Sequence, residues 1–136
     1  MTTALSNSPV MVSDFSAAVL NHYRRPRCAG ELHGDMRMVC SGIAGAVKSG
    51  VLVQFQLRLS TDGTITEVGW QAYGCPSTLA AASWLAAQVQ GKSVSDVATV
   101  TAVQISRALQ LAPDRLGRAV IVEDAFRAAL QAGSGD

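Results

Sequence analysis

The chain lacks the sequence features that mark membrane, secreted and nucleic-acid-binding proteins. No apolar run approaches the roughly 20 residues of a membrane span. Residues 1–12 contain neither a basic segment nor a long apolar segment, which argues against a secretory signal. The net charge is +1, so the chain has no general attraction to nucleic acid or to an anionic membrane. We expect a cytoplasmic protein with no nucleic-acid or membrane partner.

Cysteine is also scarce, and its spacing is uninformative. The 136 residues contain three cysteines, Cys28, Cys40 and Cys75, and no two of them form a Cys-x-x-Cys pair. An odd number of cysteines without a secretory signal favours a reducing compartment and free thiols. The spacing therefore does not predict a structural zinc site.

Two strands are the clearest elements of the pattern. Apolar and polar residues alternate over residues 51–59, which is typical of a half-buried strand. Asp62-Gly63 predicts a hairpin turn, and residues 64–73 form the returning strand. Alternation over residues 36–40 favours a further strand, whereas the glycine-rich residues 42–45 predict a loop.

Helical patterns occupy the remainder of the chain. Ser13-Asp14 offers a start for a first helix that Pro26 ends, and residues 76–90 form a helix that stops at Gly91. Short helical turns follow at 95–97 and 103–109, and residues 116–131 form a last amphipathic helix. The order predicts an α+β fold with a small antiparallel sheet of two or three strands.

The domain boundaries follow from the same pattern. Residues 1–12 are small and polar and are expected to be a flexible N-terminal segment. Residues 13–131 form one domain, which is long enough to bury a core. Residues 132–136 are expected to be a frayed tail.

The corner Gly74-Cys75-Pro76 is the most informative segment for function. It places a thiol where a strand becomes a helix, and Pro76 suits the first helical position. A helix N-terminus carries partial positive charge and free N–H donors, which lower the pKa of a cysteine. The thiolate is both a nucleophile and a metal ligand, so Cys75 is the candidate functional residue. The alternative interpretation is a small buried apolar residue at a tight corner.

Five segments in order resemble the iron–sulfur cluster assembly scaffolds of the NifU N-terminal, IscU-like type. They cover most of the chain, from about Asp14 to Leu130. The segments are VLNHYRRPR at 19–27, YGCPS at 73–77, GK at 91–92, LAPDRL at 111–116 and EDA at 123–125. The resemblance implies an α+β fold with an N-terminal helix, a three-stranded antiparallel sheet and C-terminal helices packed on one face. It also implies a site that gathers iron and sulfide on three cysteines, with an aspartate and a histidine nearby.

Four of the five ligand positions implied by the resemblance hold other residues here. Ser49 stands where the first cysteine would be, and Val51 stands in place of the aspartate. Gly117 and Arg118 replace the histidine and the last cysteine. Only Cys75 is retained, so it is the one metal ligand that the resemblance predicts. One thiolate cannot close a tetrahedral iron or zinc site.

Three alternative sources of ligands would complete the set, and the sequence does not decide between them. Cys40 would serve if it lay on a strand beside Cys75, although filling the core is the simpler role for it. A homodimer would share a cluster between two chains, and exogenous thiols would supply the missing ligands. Cys28 lies in a turn and is expected to be an exposed free thiol. Arg118 cannot bind a metal, but its guanidinium can hold a thiolate or another anion.

The resemblance also implies partners, and two functions follow from it. A cysteine desulfurase and a cluster-transfer chaperone are the expected partners, with Leu111, Pro113 and Arg115 as partner-binding residues. The first hypothesis is a scaffold or a sulfur or iron carrier that uses Cys75 and is not an enzyme. Iron or an iron–sulfur cluster would then be bound weakly or shared between chains. The second hypothesis is a degenerate family member that binds proteins and no metal. A thiol-transfer activity of Cys75 is a third and weaker idea.

Overall fold

The computed structural model describes residues 15–134, which form one antiparallel sheet and five helices. The predicted flexible segment 1–12 and the predicted helix start at residues 13–14 lie outside this range. In chain order the elements are α1 (Ala17–Arg24), β1 (Val39–Ala46), β2 (Val51–Leu59), β3 (Ile65–Tyr73), α2 (Pro76–Val89), α3 (Val94–Val97), α4 (Ala102–Leu109) and α5 (Leu116–Ser134). Short 3-10 turns occupy Val47–Ser49 and Pro113–Arg115. The predicted α+β order of elements is confirmed.

The sheet has the order β1-β2-β3, and both pairs of neighbours are antiparallel. Alternate side chains of β2 point into the core, as the alternation in the sequence predicts. Asp62-Gly63 forms the predicted turn between β2 and β3, and Gly63 has the positive φ of 86° that this turn requires. The buried side chains of β2 are Val51, Val53, Phe55 and Leu57.

The prediction of a loop at residues 42–45 was wrong, because these residues belong to β1. Gly42 pairs with Phe55 across the sheet, and helix α5 passes directly over it. A Cβ atom at position 42 would lie 2.5 Å from the carbonyl oxygen of Ala125 and 2.6 Å from the carbonyl carbon of Ala128. Glycine is therefore required here for close packing of helix on strand, and not for a turn.

Helix α2 lies at the centre of the domain and packs against α1, α4, α5 and β3. Its middle is made of small side chains because it has neighbours on several sides, and Ala80, Ala81 and Ala82 are fully buried. On the other side of the core, the rings of Phe55 and Phe126 meet edge to face, with centroids 5.8 Å apart. These contacts fix α2 and α5 relative to the sheet.

Helix α1 begins later than predicted, and helix α5 ends later. The hydroxyl of Ser16 accepts the backbone N–H of Val19 at 3.0 Å, so Ser16 is the N-cap and the helix starts at Ala17. Helix α5 continues to Ser134, so residues 132–134, predicted to be part of a frayed tail, are helical. Within the described range, none of the helices combines the length and the apolar character needed to cross a bilayer.

The register of the sheet determines which loops lie together. Ala46 pairs with Val51 next to the β1–β2 turn, and Leu52 pairs with Tyr73 at the end of β3. The β1–β2 turn and the Gly74-Cys75 corner therefore lie at the same end of the sheet. We refer to this end as the Cys75 end.

Candidate functional site

Cys75 is the N-cap residue of α2 and is half-buried. Its backbone is extended and its carbonyl oxygen accepts the N–H groups of Thr78 at 2.9 Å and Leu79 at 3.2 Å, which begins the helix. The preceding Gly74 keeps the corner tight, since a Cβ atom there would lie 2.9 Å from the hydroxyl of Thr78. The predicted position of the thiol, between a strand and a helix N-terminus, is confirmed.

The surroundings of Cys75 stabilise its thiolate. Burial acts to raise the pKa of the thiol, but hydrogen bonds from Thr78, Arg118 and the main chain of Ser77 outweigh it, and the pKa lies below its ordinary value. The hydroxyl of Thr78 lies 3.8 Å from the sulfur. A larger thiolate fraction at neutral pH makes Cys75 a better nucleophile than an unperturbed cysteine.

Arg118 brings a fixed positive charge to this thiol from the first turn of α5. Its side chain is half-buried and hydrogen-bonds to Cys75, while its Nε is buried without a hydrogen-bond partner. A cation at a helix N-terminus opposes the helix dipole, so this position does not stabilise α5 by itself. Within residues 15–134, Arg118 forms no ion pair with a carboxylate.

The first turns of α2 and α5 contain no acid, and Asp114 is in the 3-10 turn that precedes α5. The thiol thus lies at the positive N-terminus of α2 and accepts a hydrogen bond from a guanidinium. This potential favours an anion such as a thiolate, and it disfavours a metal cation.

The other predicted ligand positions lie at the Cys75 end without ligand side chains. Ser49 ends the exposed 3-10 turn between β1 and β2, and Val51 is buried as the first residue of β2. Gly117 is in the first turn of α5, where a Cβ atom would meet nothing within 4 Å. Across the described residues, no three His, Cys, Asp or Glu side chains come together to hold a metal ion.

The NifU-like N terminal domain family matches residues 14–134, a range that includes every residue the structure describes. The chain belongs to this family. It is 32% identical over 116 residues to the iron-sulfur cluster assembly scaffold protein IscU of Rickettsia prowazekii, covering 85% of this chain and 88% of that protein. It is also 32% identical over 130 residues to the mitochondrial iron sulfur cluster assembly protein 1 of Kluyveromyces lactis, covering 93% of this chain and 72% of that protein.

Solved structures of NifU-like proteins have the same fold. The N-terminal NifU-like protein of Brucella abortus superposes with a TM-score of 0.69 at 14% identity, covering 92% of this chain and 98% of that chain. A scaffold protein for the SUF system from Fervidobacterium islandicum superposes with a TM-score of 0.55 at 15% identity, covering 88% of this chain and 87% of that chain. The IscU-like fold predicted from the sequence is confirmed.

The NifU-like fold does not bring Cys40 to Cys75. Cys40 is on β1, which neighbours β2 and not β3, and it pairs with Leu57. Leu57 lies five residues along β2 from Leu52, the residue that marks the Cys75 end, which is about 17 Å at the strand rise. The suggestion that Cys40 replaces a lost ligand beside Cys75 is therefore wrong for a single chain.

Cys28 is also remote from Cys75. Its sulfur lies 3.6 Å from the side-chain oxygen of Gln90, which follows the opposite end of α2. A helix of 14 residues spans about 21 Å, so Cys28 lies far from Cys75. Cys28 was predicted to be exposed, but it is half-buried. Burial raises the pKa of its thiol.

The predicted partner-binding residues lie in the segment between α4 and α5. Pro113 is exposed, whereas Leu111 packs against the core. The guanidinium carbon of Arg115 lies 4.4 Å from the centre of the Phe15 ring, a cation–π contact. Pro113 is thus the member of this group that is most available to a partner, and the partner-binding role stays a prediction.

The sequence reasoning missed Thr78 and an apolar surface at the Cys75 end. Thr78 is the third residue of α2, and the main-chain N–H group at this position faces the side chain of the N-cap residue. Its position three residues after Cys75 could therefore have predicted a contact with the thiol. Ile43 is 58% exposed, Val47 58% and Tyr73 55%. These apolar side chains surround the β1–β2 turn and the end of β3, and alternation alone does not reveal them.

Proposed function

We propose that this protein takes part in iron–sulfur cluster assembly by carrying sulfur as a persulfide on Cys75. The observation that supports sulfur carriage is the Cys75 thiol, whose pKa is lowered, against the effect of burial, by hydrogen bonds from Thr78 and then from Arg118. Membership of the NifU-like family and the names of the relatives support the cluster assembly role.

The ligand set of a single chain does not fit an iron–sulfur cluster. A cluster is held mainly by several thiolates, and the described residues offer one thiol at this site beside a serine, a valine, a glycine and an arginine. The positive potential around Cys75 also opposes binding of an iron cation. A persulfide needs one thiolate and an environment that stabilises an anion, and this site supplies both.

The transfer step that we propose requires no net oxidation or reduction. The Cys75 thiolate attacks the terminal sulfur of a donor persulfide, R–S–SH, and a new sulfur–sulfur bond forms as the donor bond breaks. The donor leaves as the thiolate R–S⁻, and Cys75 becomes a persulfide. Arg118 and the N–H groups that begin α2 then stabilise the deprotonated form of that persulfide.

The partners belong to the same proposal. A cysteine desulfurase is the proposed donor, and a chaperone that engages Pro113 is a proposed partner for transfer. The protein acts in the cytoplasm as a carrier and not as an enzyme with turnover of its own. A second function, a protein-interaction module without sulfur chemistry, is favoured by the exposed side chains of Ile43, Val47 and Tyr73.

Persulfide loading tests the sulfur-carrier proposal. After anaerobic incubation with glutathione persulfide, we expect the protein to gain the mass of one sulfur atom, which peptide mapping should place on Cys75. Cys28→Ser and Cys40→Ser variants should load as the unchanged protein does, whereas Cys75→Ser should not. Loading that is absent, or equal on all three cysteines, would favour the interaction module instead.

Removing the Arg118 charge should weaken the reactivity of Cys75. In Arg118→Met the thiol loses a hydrogen bond that lowers its pKa, so the thiolate forms only at higher pH. We expect the alkylation rate of Cys75 at pH 7 to fall about fivefold, with its pH midpoint shifted upward. Alkylation with iodoacetamide across pH, in a background lacking Cys28 and Cys40, measures this.

The charge-conserving variant Arg118→Lys provides the control. It should retain much of the lowered pKa, because an ammonium also stabilises a thiolate, although without the planar geometry of the guanidinium. An unchanged pH midpoint in Arg118→Met would show that Arg118 has no part in activating Cys75.

A further inference from the structure

A cavity lies next to the first turn of α2 and is separate from the Cys75 thiol. Its volume is about 310 Å³, it is open to solvent, and it lies between the start of α1, the start of α2 and the segment between α4 and α5. Its apolar walls come from Phe15, Val19 and Leu111, and its polar residues include Ser77 and Arg115. The cavity is large enough for a small organic molecule.

Ser77 brings an unsatisfied hydroxyl to this cavity. The residue is 1% exposed, and its Oγ is buried without a hydrogen-bond partner. Leaving a buried hydroxyl unpaired is destabilising, because the group gives up its hydrogen bonds to water and gains none in return. The other serine of the cavity differs, because Ser16 donates to the carbonyl oxygen of Leu109 and accepts the N–H of Val19. The main-chain N–H of Ser77 donates to the Cys75 thiol, whereas the Ser77 hydroxyl has no partner.

Arg115 brings an unpaired cation to the same cavity. Its guanidinium is positioned over the Phe15 ring, and one terminal nitrogen, Nη1, is buried without a hydrogen-bond partner. The ion pairs within residues 15–134 involve Arg37, Arg58 and Arg127, and none involves Arg115. A buried guanidinium nitrogen is ordinarily paired with a carboxylate or another acceptor. Two residues that line the cavity thus each carry a buried donor atom that no acceptor of the described chain satisfies.

We propose that this cavity binds the carboxylate of a small organic acid. Arg115 and Ser77 donate to the carboxylate oxygens, and Phe15, Val19 and Leu111 contact the apolar body of the ligand. A carboxylate supplies several acceptor sites in one plane, which matches a guanidinium and one hydroxyl. An inorganic anion would satisfy the donors but would leave the apolar walls without a partner. The site is next to Cys75 but uses different donors.

A titration followed by backbone amide NMR at low ionic strength tests this site. The probes are butyrate and butyramide, which share a body and differ in charge. Butyrate should shift the amide signals of Ser77, Leu111 and Arg115, and butyramide should leave them nearly unchanged. Arg115→Gln should weaken butyrate binding at least about tenfold, and Ser77→Ala should weaken it several-fold.

Arg37→Gln is the charge-matched control, because it removes one exposed arginine from the far end of the sheet. It should bind butyrate as the unchanged protein does. Equal weakening in Arg37→Gln and Arg115→Gln would overturn the proposal, as would equal shifts with butyramide or with inorganic phosphate. Should Arg115→Gln fail to fold, unchanged binding in Ser77→Ala would overturn it.

Discussion

Replacing both Ser49 and Arg118 by cysteine should create a zinc site with Cys75. Both positions lie at the Cys75 end of the sheet, and Arg118 already contacts the Cys75 thiol. The double variant Ser49→Cys/Arg118→Cys supplies three thiolates and removes the cation, leaving one coordination position for water. We expect zinc to bind with a Kd on the order of 1 μM or tighter, at least about a hundredfold tighter than in the unchanged protein. Competition with a chromophoric chelator measures the zinc Kd of the double variant and that of the unchanged protein.

The single variants separate loss of charge from gain of ligands. Arg118→Ser removes the cation without adding a thiol, and Ser49→Cys adds a thiol while keeping the cation. Each should bind zinc more weakly than the double variant, since neither completes a set of three thiolates. If the double variant folds by circular dichroism but binds zinc no tighter than the unchanged protein, the loops at this end do not converge as the register indicates.

Adding a single methyl group at Gly42 should destabilise the whole domain. The Cβ atom of Gly42→Ala would lie within 2.6 Å of backbone atoms of α5, which cannot rotate away as a side chain does. Either β1 or α5 must move, and both pack on the same core. We expect the free energy of unfolding to fall by about 3 kcal/mol. Urea denaturation followed by circular dichroism measures the change.

Gly117→Ala is the matched control for this prediction. It makes the same chemical change at a helical position where a Cβ atom would meet nothing within 4 Å. Because alanine is the better helix former, we expect Gly117→Ala to be stabilising by about 0.5–1 kcal/mol. Equal and small effects at both positions would contradict the close packing of α5 on β1.

Elements whose pattern reflects their own burial could be predicted from the sequence. Strand β2 alternates because one face is in the core, and α5 is amphipathic for the same reason. The centre of β1 could not be predicted, because Gly42 allows close approach of α5, a helix that begins only at Leu116. Glycine is typical of turns and of close packing, and the local sequence does not distinguish the two.

Some features of the candidate site could likewise be predicted from the sequence, and others could not. The environment of Cys75 is largely local, since the helix N-terminus and Thr78 follow it directly in sequence. The relation between Cys75 and Cys40 depends on strand order and register, which are long-range properties. A sequence shows that Cys40 is on a strand, but not that this strand is one removed from β3. The unpaired donors of Ser77 and Arg115 likewise become visible only when distant segments are placed together.

The packing of Cys40 against the end of α5 makes this thiol a natural reporter of local opening. A Cβ atom at Gly133 would lie 2.9 Å from the Cys40 sulfur, so the last turns of α5 shield it. Because Cys40 is half-buried, a labelling reagent should react with its sulfur faster when those turns detach from the sheet, and the labelling rate then reports how often they do so. Cys75, at the other end of the sheet, reports instead on the chemistry of the site. The chain thus contains two thiols that report separately on dynamics and on reactivity.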